Sequence, residues 1–200
     1  MVMGALHPGA GQISGTLILL GAGRGFWPAL VACAEYRDAA PDPVDRYSRR
    51  TIEALATAVG PARAIFPFGG PPYAPFIDWA LKSGRAFTSP VGMLVHDTVG
   101  MMISYRGALL FEQASAVPEP VGQSPCKTCA GQPCKTSCPV SALSSAQAYD
   151  VAACHGFLDT EPGQPCMEQG CAVRRACPVS QGAGRVSAQS AHHMKAFHRQ

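Results

Sequence analysis

The sequence predicts an α/β domain followed by a small, loop-rich module with short helices. Three observations carry that expectation. Strand-like and helix-like segments alternate over residues 16–111, the composition turns small, polar and proline-rich at 113–125, and eight of the nine cysteines fall between 126 and 177. The expected organisation is an α/β domain over 1–115, able to bind a partner or cofactor, a cysteine-rich module over 122–182, and a C-terminal helix or tail over 183–200. Two hundred residues suit such a domain with an appended module.

The elements follow in order. TLILL (16–20) is a short apolar run that ends in glycine, as a buried strand does. FWPALVACAEY (26–36) has helical spacing and contains Cys33, whose isolation from the other thiols predicts an inert core cysteine. PDPVDRYSRRTIEALATAVG (41–60) is the clearest helix. Asp42 is its expected N-cap, Pro43 suits its first turn, and Ile52, Leu55, Ala56 and Val59 make an apolar stripe up to Gly60. ARAIFPF (62–68) predicts a strand and FIDWALKSG (76–84) a helix closed by Gly84. VGMLVHDTVGMMISYRGALLF (91–111) predicts two strands around HDTVG. AHHMKAF (191–197) with His198 predicts a C-terminal helix with a solvated or docking histidine face.

Past the linker no stretch has the uninterrupted apolar periodicity of a self-sufficient core, so this segment is expected to be held together by what it binds. An odd number of cysteines argues against a pure disulfide framework. The N-terminus has no basic region before TLILL, and that run is too short for a signal peptide or a membrane span. The expectation is a cytoplasmic protein with reduced thiols and no membrane partner. No stripe of interleaved basic and aromatic residues occurs, which argues against a nucleic-acid partner.

The spacing Cys126-x2-Cys129-x4-Cys134-x3-Cys138-Pro139 is the heart of the sequence. Bacterial ferredoxins use Cys-x2-Cys-x2-Cys-x3-Cys-Pro, in which three thiolates take one cube and the fourth reaches a second. Here the loop between the second and third thiols is two residues longer, with Gly131, Gln132 and Pro133 in it. Pro139, with no N–H and a fixed φ, is expected to open a helix VSALSSAQA. The Cys-Pro-Val-Ser unit at 138–141 recurs at 177–180. If each Cys-Pro thiol crosses over, Cys126, Cys129, Cys134 and Cys177 hold one [4Fe-4S] cluster, while Cys138, Cys154, Cys166 and Cys171 hold the other. A single cluster with spare thiols and a structural zinc site are the alternatives.

CKTCAGQPCKTSCPVSAL, AYDVAACHGFL and CMEQGCAVRRACPV together resemble the dicluster ferredoxin module of the epoxyqueuosine reductase family. Asp150, Cys154, Gly170, Cys171, Cys177 and Pro178 fall on that family's order. The resemblance implies a ferredoxin-like fold with two clusters.

Residues 121–200 carry seven basic and four acidic side chains, so the chain's net charge of +3 resides with the cysteines. Two clusters bring roughly −4, because each cube with four thiolates is about −2. Arg174 and Arg175, between Cys171 and Cys177, are expected either to raise a reduction potential by stabilising the added electron or to be solvated surface residues. Pro139, Val140, Pro178 and Val179 are expected to shield the clusters from water.

Signals before the linker are weaker. LLGAGRGF lacks the third glycine of a dinucleotide fingerprint, since Phe26 occupies that place, and predicts a plain glycine turn. Phe66, Phe68, Tyr73, Phe76 and Trp79 gather around Gly69-Gly70 and two prolines, as core packing or as walls for a flat ligand such as a corrinoid or flavin. Residues 90–111 also resemble cobalamin-processing proteins through His96, Tyr105, Arg106 and Gly107. The expected function is single-electron transfer to a redox partner protein. The alternative is a reductase that acts on a corrinoid or flavin held by the first domain, and enzymatic activity is left open.

Overall fold

The computed structural model describes residues 1–9, 14–119 and 122–198. Residues 10–13 of the expected first domain, 120–121 of the expected linker and 199–200 of the tail lie outside the described residues. The fold is mixed α/β and divides into two compact units, Met1–Ala86 with Ser104–Gly122, and Phe87–Ile103 with Gln123–Gln200. Residues 87–103, within the expected first domain, fold with the cysteine-rich segment.

In the first unit β1 (Val2–Leu6), β2 (Thr16–Gly21), β3 (Ala62–Ile65) and β6 (Tyr105–Phe111) form an antiparallel sheet in the order β1-β2-β6-β3. The run TLILL is continuously apolar because both faces of its strand are covered. Ile18 pairs with Leu109 and Leu20 with Gly107, and this face packs on Ile52 and Ala56 of helix α3 (Pro43–Ala58). Leu17 and Leu19, on the other face, are fully buried, and α4 (Phe76–Lys82) packs against β1. Gly107 allows the close approach of α3, since a Cβ there would lie 2.6 Å from Ile52 Cδ1.

Four sequence expectations for this unit are corrected in detail. The buried row of α3 is Val44, Ser48, Ile52 and Ala56, a step of four; Leu55 is turned to the helix edge and Val59 lies past the last turn. Ser48 fits in that row because its hydroxyl donates to Val44 O at 2.6 Å. The helix expected over 26–36 breaks at Cys33, whose backbone is extended, into α1 (Phe26–Ala32) and α2 (Ala34–Arg37), and Cys33 is partly exposed rather than core. Asp42 holds the N-cap position of α3 with a left-handed backbone (φ 52°) and makes no cap hydrogen bond through its side chain.

In the second unit β4 (Ala86–Thr88), which starts at the unit boundary, pairs with β5 (Leu94–His96), and His96 bridges to Gly100. The cysteine segment adds short turns and helices: α5 (Val151–Leu158), α6 (Gln164–Gln169), α7 (Ala172–Ala176) and α8 (Ser187–Phe197). The helix expected after Pro139 does not form. Ser141 is left-handed (φ 53°), Ser144 Oγ accepts from Ala146 N at 3.2 Å, and the segment runs as turns to the next helix. The module also has a core, contrary to the expectation from periodicity. Val91, Val95 and Met101 of the 87–103 segment pack with Leu143, Val173, Cys134 and Cys177. The apolar side chains missing from the cysteine segment arrive from earlier in the chain.

Candidate metal centre

Eight thiols of the second unit sort into two cavities. Cys126, Cys129, Cys134 and Cys177 line the first, a cavity of about 350 Å³. Cys138, Cys154, Cys166 and Cys171 line the second, of about 30 Å³. All are free thiols, as is Cys33 in the first unit. Among the described residues no three of His, Cys, Asp and Glu converge as a single metal ion would require.

Local structure explains the first group. Ser124 Oγ accepts from Cys126 N at 3.3 Å and starts a 3₁₀ turn, Pro125–Lys127. Gly131 and Gln132 are both left-handed (φ 70° and 40°), and Gln132 Nε2 donates to Cys126 O at 3.2 Å. The longer loop thereby folds back on itself and starts the turn that carries Cys134. Burial pushes the Cys126 and Cys134 thiols up in pKa, and the neighbouring thiols of the same group add to it. Pro90, Val95 and Met101 complete the wall. Cysteine spacing carries no trace of that wall, because these residues lie more than twenty positions before the first ligand candidate.

The second group is helical. Asp150, singled out by the family resemblance, is the N-cap of α5: its Oδ1 accepts from Ala153 N at 2.9 Å, and the helix it opens presents Cys154. Cys166 lies in α6 and Cys171 is the N-cap of α7. Gly170 ends α6 with φ 91°. Tyr149 lines the cavity beside Cys154. Burial raises the Tyr149 pKa, with the neighbouring Cys154 thiol adding to it, and burial raises the Cys154 thiol as well. Phe157, Leu158 and Met194 close the cavity. Beside it, His198 Nε2 and Asp159 Oδ1 are 2.8 Å apart, and the two Nδ1 atoms of His198 and His155 are also 2.8 Å apart, so the histidine at the end of α8 docks on α5.

The two Cys-Pro-Val-Ser units share one turn, with Ser141 N donating to Cys138 O at 3.1 Å and Ser180 N to Cys177 O at 2.9 Å. Their surroundings differ. Ser180 is buried and its hydroxyl accepts from Met101 N at 2.9 Å, whereas Ser141 is exposed. Of the four residues expected to shield the cavities, Val179 is half-buried, lines the first and packs on its core, whereas Pro139, Val140 and Pro178 line the cavities yet are exposed; Val95, Met101, Leu143 and Phe157 cover the rest. Arg174 Nη1 donates to Met101 O at 2.8 Å, whereas Arg175 turns to Gly170 O at 3.0 Å.

The other sequence candidates fall in different units. His96 is fully buried, with Thr98 N donating to its Nδ1 at 3.2 Å, and it belongs to the second unit. Tyr105, Arg106 and Gly107 belong to the first. There Arg106 Nη1 meets Asp45 Oδ1 at 3.1 Å, and burial lowers the Arg106 pKa while Asp45 opposes it. Of the aromatic set, Phe76 and Trp79 are core, Tyr73 is exposed, and the Arg49 guanidinium covers Phe66 at 4.6 Å. The LLGAGRGF turn follows a strand flanked by antiparallel neighbours, so the parallel βαβ unit of a dinucleotide site is not there.

The donor chemistry fits two iron–sulfur cubes, each of which takes four thiolates around a cavity. The first cavity has room for a cube; the second, little larger than one water, would have to widen. No protein-family model, curated protein or solved structure matches the chain. Among the described residues no helix is long and apolar enough to cross a membrane.

Proposed function

We propose that the chain is an electron-transfer protein carrying two [4Fe-4S] clusters, with Cys126, Cys129, Cys134 and Cys177 on one and Cys138, Cys154, Cys166 and Cys171 on the other. The single observation that supports this reading is the sorting of eight thiols into two cavities of four. When bound, such clusters supply storage and relay of single electrons to a redox partner protein. The chain's own residues provide the surroundings. Cys134 and Cys138, and again Cys171 and Cys177, place neighbouring thiols in different cavities, which keeps the two sites close together. Leu143, Val173 and Val95 keep the surroundings apolar.

The test is iron and sulfide per chain in protein purified without oxygen, with EPR after reduction. About eight irons with two interacting reduced centres supports the reading. About four leaves one cavity without a role, and zinc in place of iron overturns it. A co-purifying corrinoid or flavin band would shift the reading to a reductase.

A further inference from the structure

Charge is sorted between the two cavities much as the thiols are. From 123 to 149 the chain carries Lys127 and Lys135 and no acidic residue, whereas from 150 to 170 it carries Asp150, Asp159, Glu161 and Glu168 and no Lys or Arg. All six residues are exposed. The lysines belong to a repeated Pro-Cys-Lys-Thr unit, at 125–128 and 133–136, each starting as a 3₁₀ turn. Neighbouring side chains on such a turn diverge by about 120°. The thiol of each unit, Cys126 or Cys134, therefore lines the first cavity while the lysine after it stays in solvent. Between the two lysines in the chain, Thr128 and Ala130 line the same cavity and are exposed, so its wall reaches the surface there. Two more cations hold the opposite wall: Arg174 Nη1 and Arg185 Nη2 donate to Met101 O and Met102 O, both at 2.8 Å, and Met101 lines this cavity. The one carboxylate of the 87–103 segment, Asp97, lies 3.0 Å from His96 Nδ1. The acidic residues go with the second cavity. Asp150 and Asp159 cap the two ends of α5, which carries Cys154, and Glu168 follows Cys166 by two positions in α6.

We propose that the redox partner docks over the first cavity, at Lys127 and Lys135, and that it is an acidic electron-carrier protein with carboxylates around its own redox group. This rests on the two-cluster reading, for which it names the partner's chemistry and the port. Exposed charges contribute little to the stability of a contact but much to the rate and orientation of encounter. A carboxylate-rich partner is drawn to the lysines and repelled by the acidic residues of α5 and α6, so one charge separation brings it to the first cavity and keeps it from the second. Contacts between electron-transfer partners are small and short-lived, which suits two long-stemmed cations at a cavity edge better than a broad apolar face. The step is the passage of one electron between the partner's redox group and the occupant of the first cavity, and no bond forms or breaks.

The chain has four lysines, Lys82, Lys127, Lys135 and Lys195, so docking is readable by lysine acetylation and mass spectrometry. The anaerobically prepared full chain is mixed with an acidic plant-type [2Fe-2S] ferredoxin and, separately, with basic cytochrome c. The ferredoxin should protect Lys127 and Lys135 and leave Lys195, on α8, as reactive as before. Its affinity by calorimetry should fall with added salt, and Lys127→Glu with Lys135→Glu should weaken it about tenfold or more at low salt. Lys127→Arg with Lys135→Arg should hold the affinity, and Glu161→Gln with Glu168→Gln should hold or raise it. The proposal is overturned if the ferredoxin does not bind, if protection falls on Lys195 instead, if the charge-reversed variant with wild-type iron content binds as well as wild type, or if cytochrome c protects Lys127 and Lys135. Wild-type protein with far fewer than about eight irons sinks the two-cluster reading itself, whereas absent protection on a fully loaded chain sinks the docking alone.

Discussion

Cys171 and Cys177 stand at the two ends of one five-residue helix, α7, and line different cavities. At about 1.5 Å per residue, the helix sets their Cα atoms roughly 9 Å apart along its axis. Cys134 and Cys138 repeat the arrangement at the other crossing, on a turn instead of a helix.

Crossed thiols make a prediction that linear order does not. Cys134→Ser and Cys177→Ser should remove the same spectroscopic centre, although the two residues are far apart in sequence. Cys138→Ser and Cys171→Ser should remove the other. Each single change should cost about four irons, with further loosening of the remaining centre. If variants at Cys134 and Cys138 behave as one pair, the assignment is wrong.

Ser180 ties the second Cys-Pro turn to the 87–103 segment through the bond from Met101 N. Ser180→Ala leaves that buried N–H without its acceptor and should destabilise the second unit by about 1–3 kcal/mol. Ser141→Ala, at the matching exposed position, should be nearly silent. Denaturant unfolding of both variants, followed by the loss of cluster absorbance, checks the contrast. Equal effects would remove the distinction between the two turns.

Gly107 admits Ile52 to the sheet. Gly107→Val should overpack that contact and cost about 1–3 kcal/mol. Because the nearest atom is the end of a side chain, Ile52→Val in the same chain should recover part of the loss. Urea midpoints of the single and double variants test it, and a double variant no better than Gly107→Val alone counts against this packing.

The Arg50 guanidinium, hydrogen-bonded to Glu35, holds its carboxyl down to about 2 from an ordinary 4.5. A depressed carboxyl contributes stability that is full above its unfolded value and lost as pH falls through its folded value. The melting temperature of Glu35→Gln should therefore lie below wild type at pH 6, with the gap closing between about 4.5 and 2. The pair is exposed, so the gap is small and shrinks with salt. Circular dichroism melts across that range decide it, and a gap unchanged at the acid end would rule out this pair as its source.

Much of the secondary structure was legible in the chain. The strands at 16–21 and 62–65 and the helices at 43–58 and 76–82 follow from apolar runs, proline and glycine placement, and period. The strand Val2–Leu6 is hard to see in the sequence, because five residues with a central glycine carry little pattern. VSALSSAQA reads as a helix from its proline start, yet its serines bond locally and the left-handed Ser141 stops it.

The sequence by itself determined which residues could form a metal centre, since eight thiols with two Cys-Pro turns limit the chemistry whatever the packing. Asp150 announced a helix start, and the helix it caps carries Cys154. Only the tertiary structure decided that Val91, Val95 and Met101 serve the cysteine module, that Arg174 reaches Met101 O while Arg175 bonds Gly170 O nearby in the chain, and that His96 folds in one unit and Tyr105 and Arg106 in the other. Spacing and propensity act over a few residues. Which distant segment supplies a wall, and which of two adjacent arginines reaches it, depends on long-range packing that no local pattern encodes.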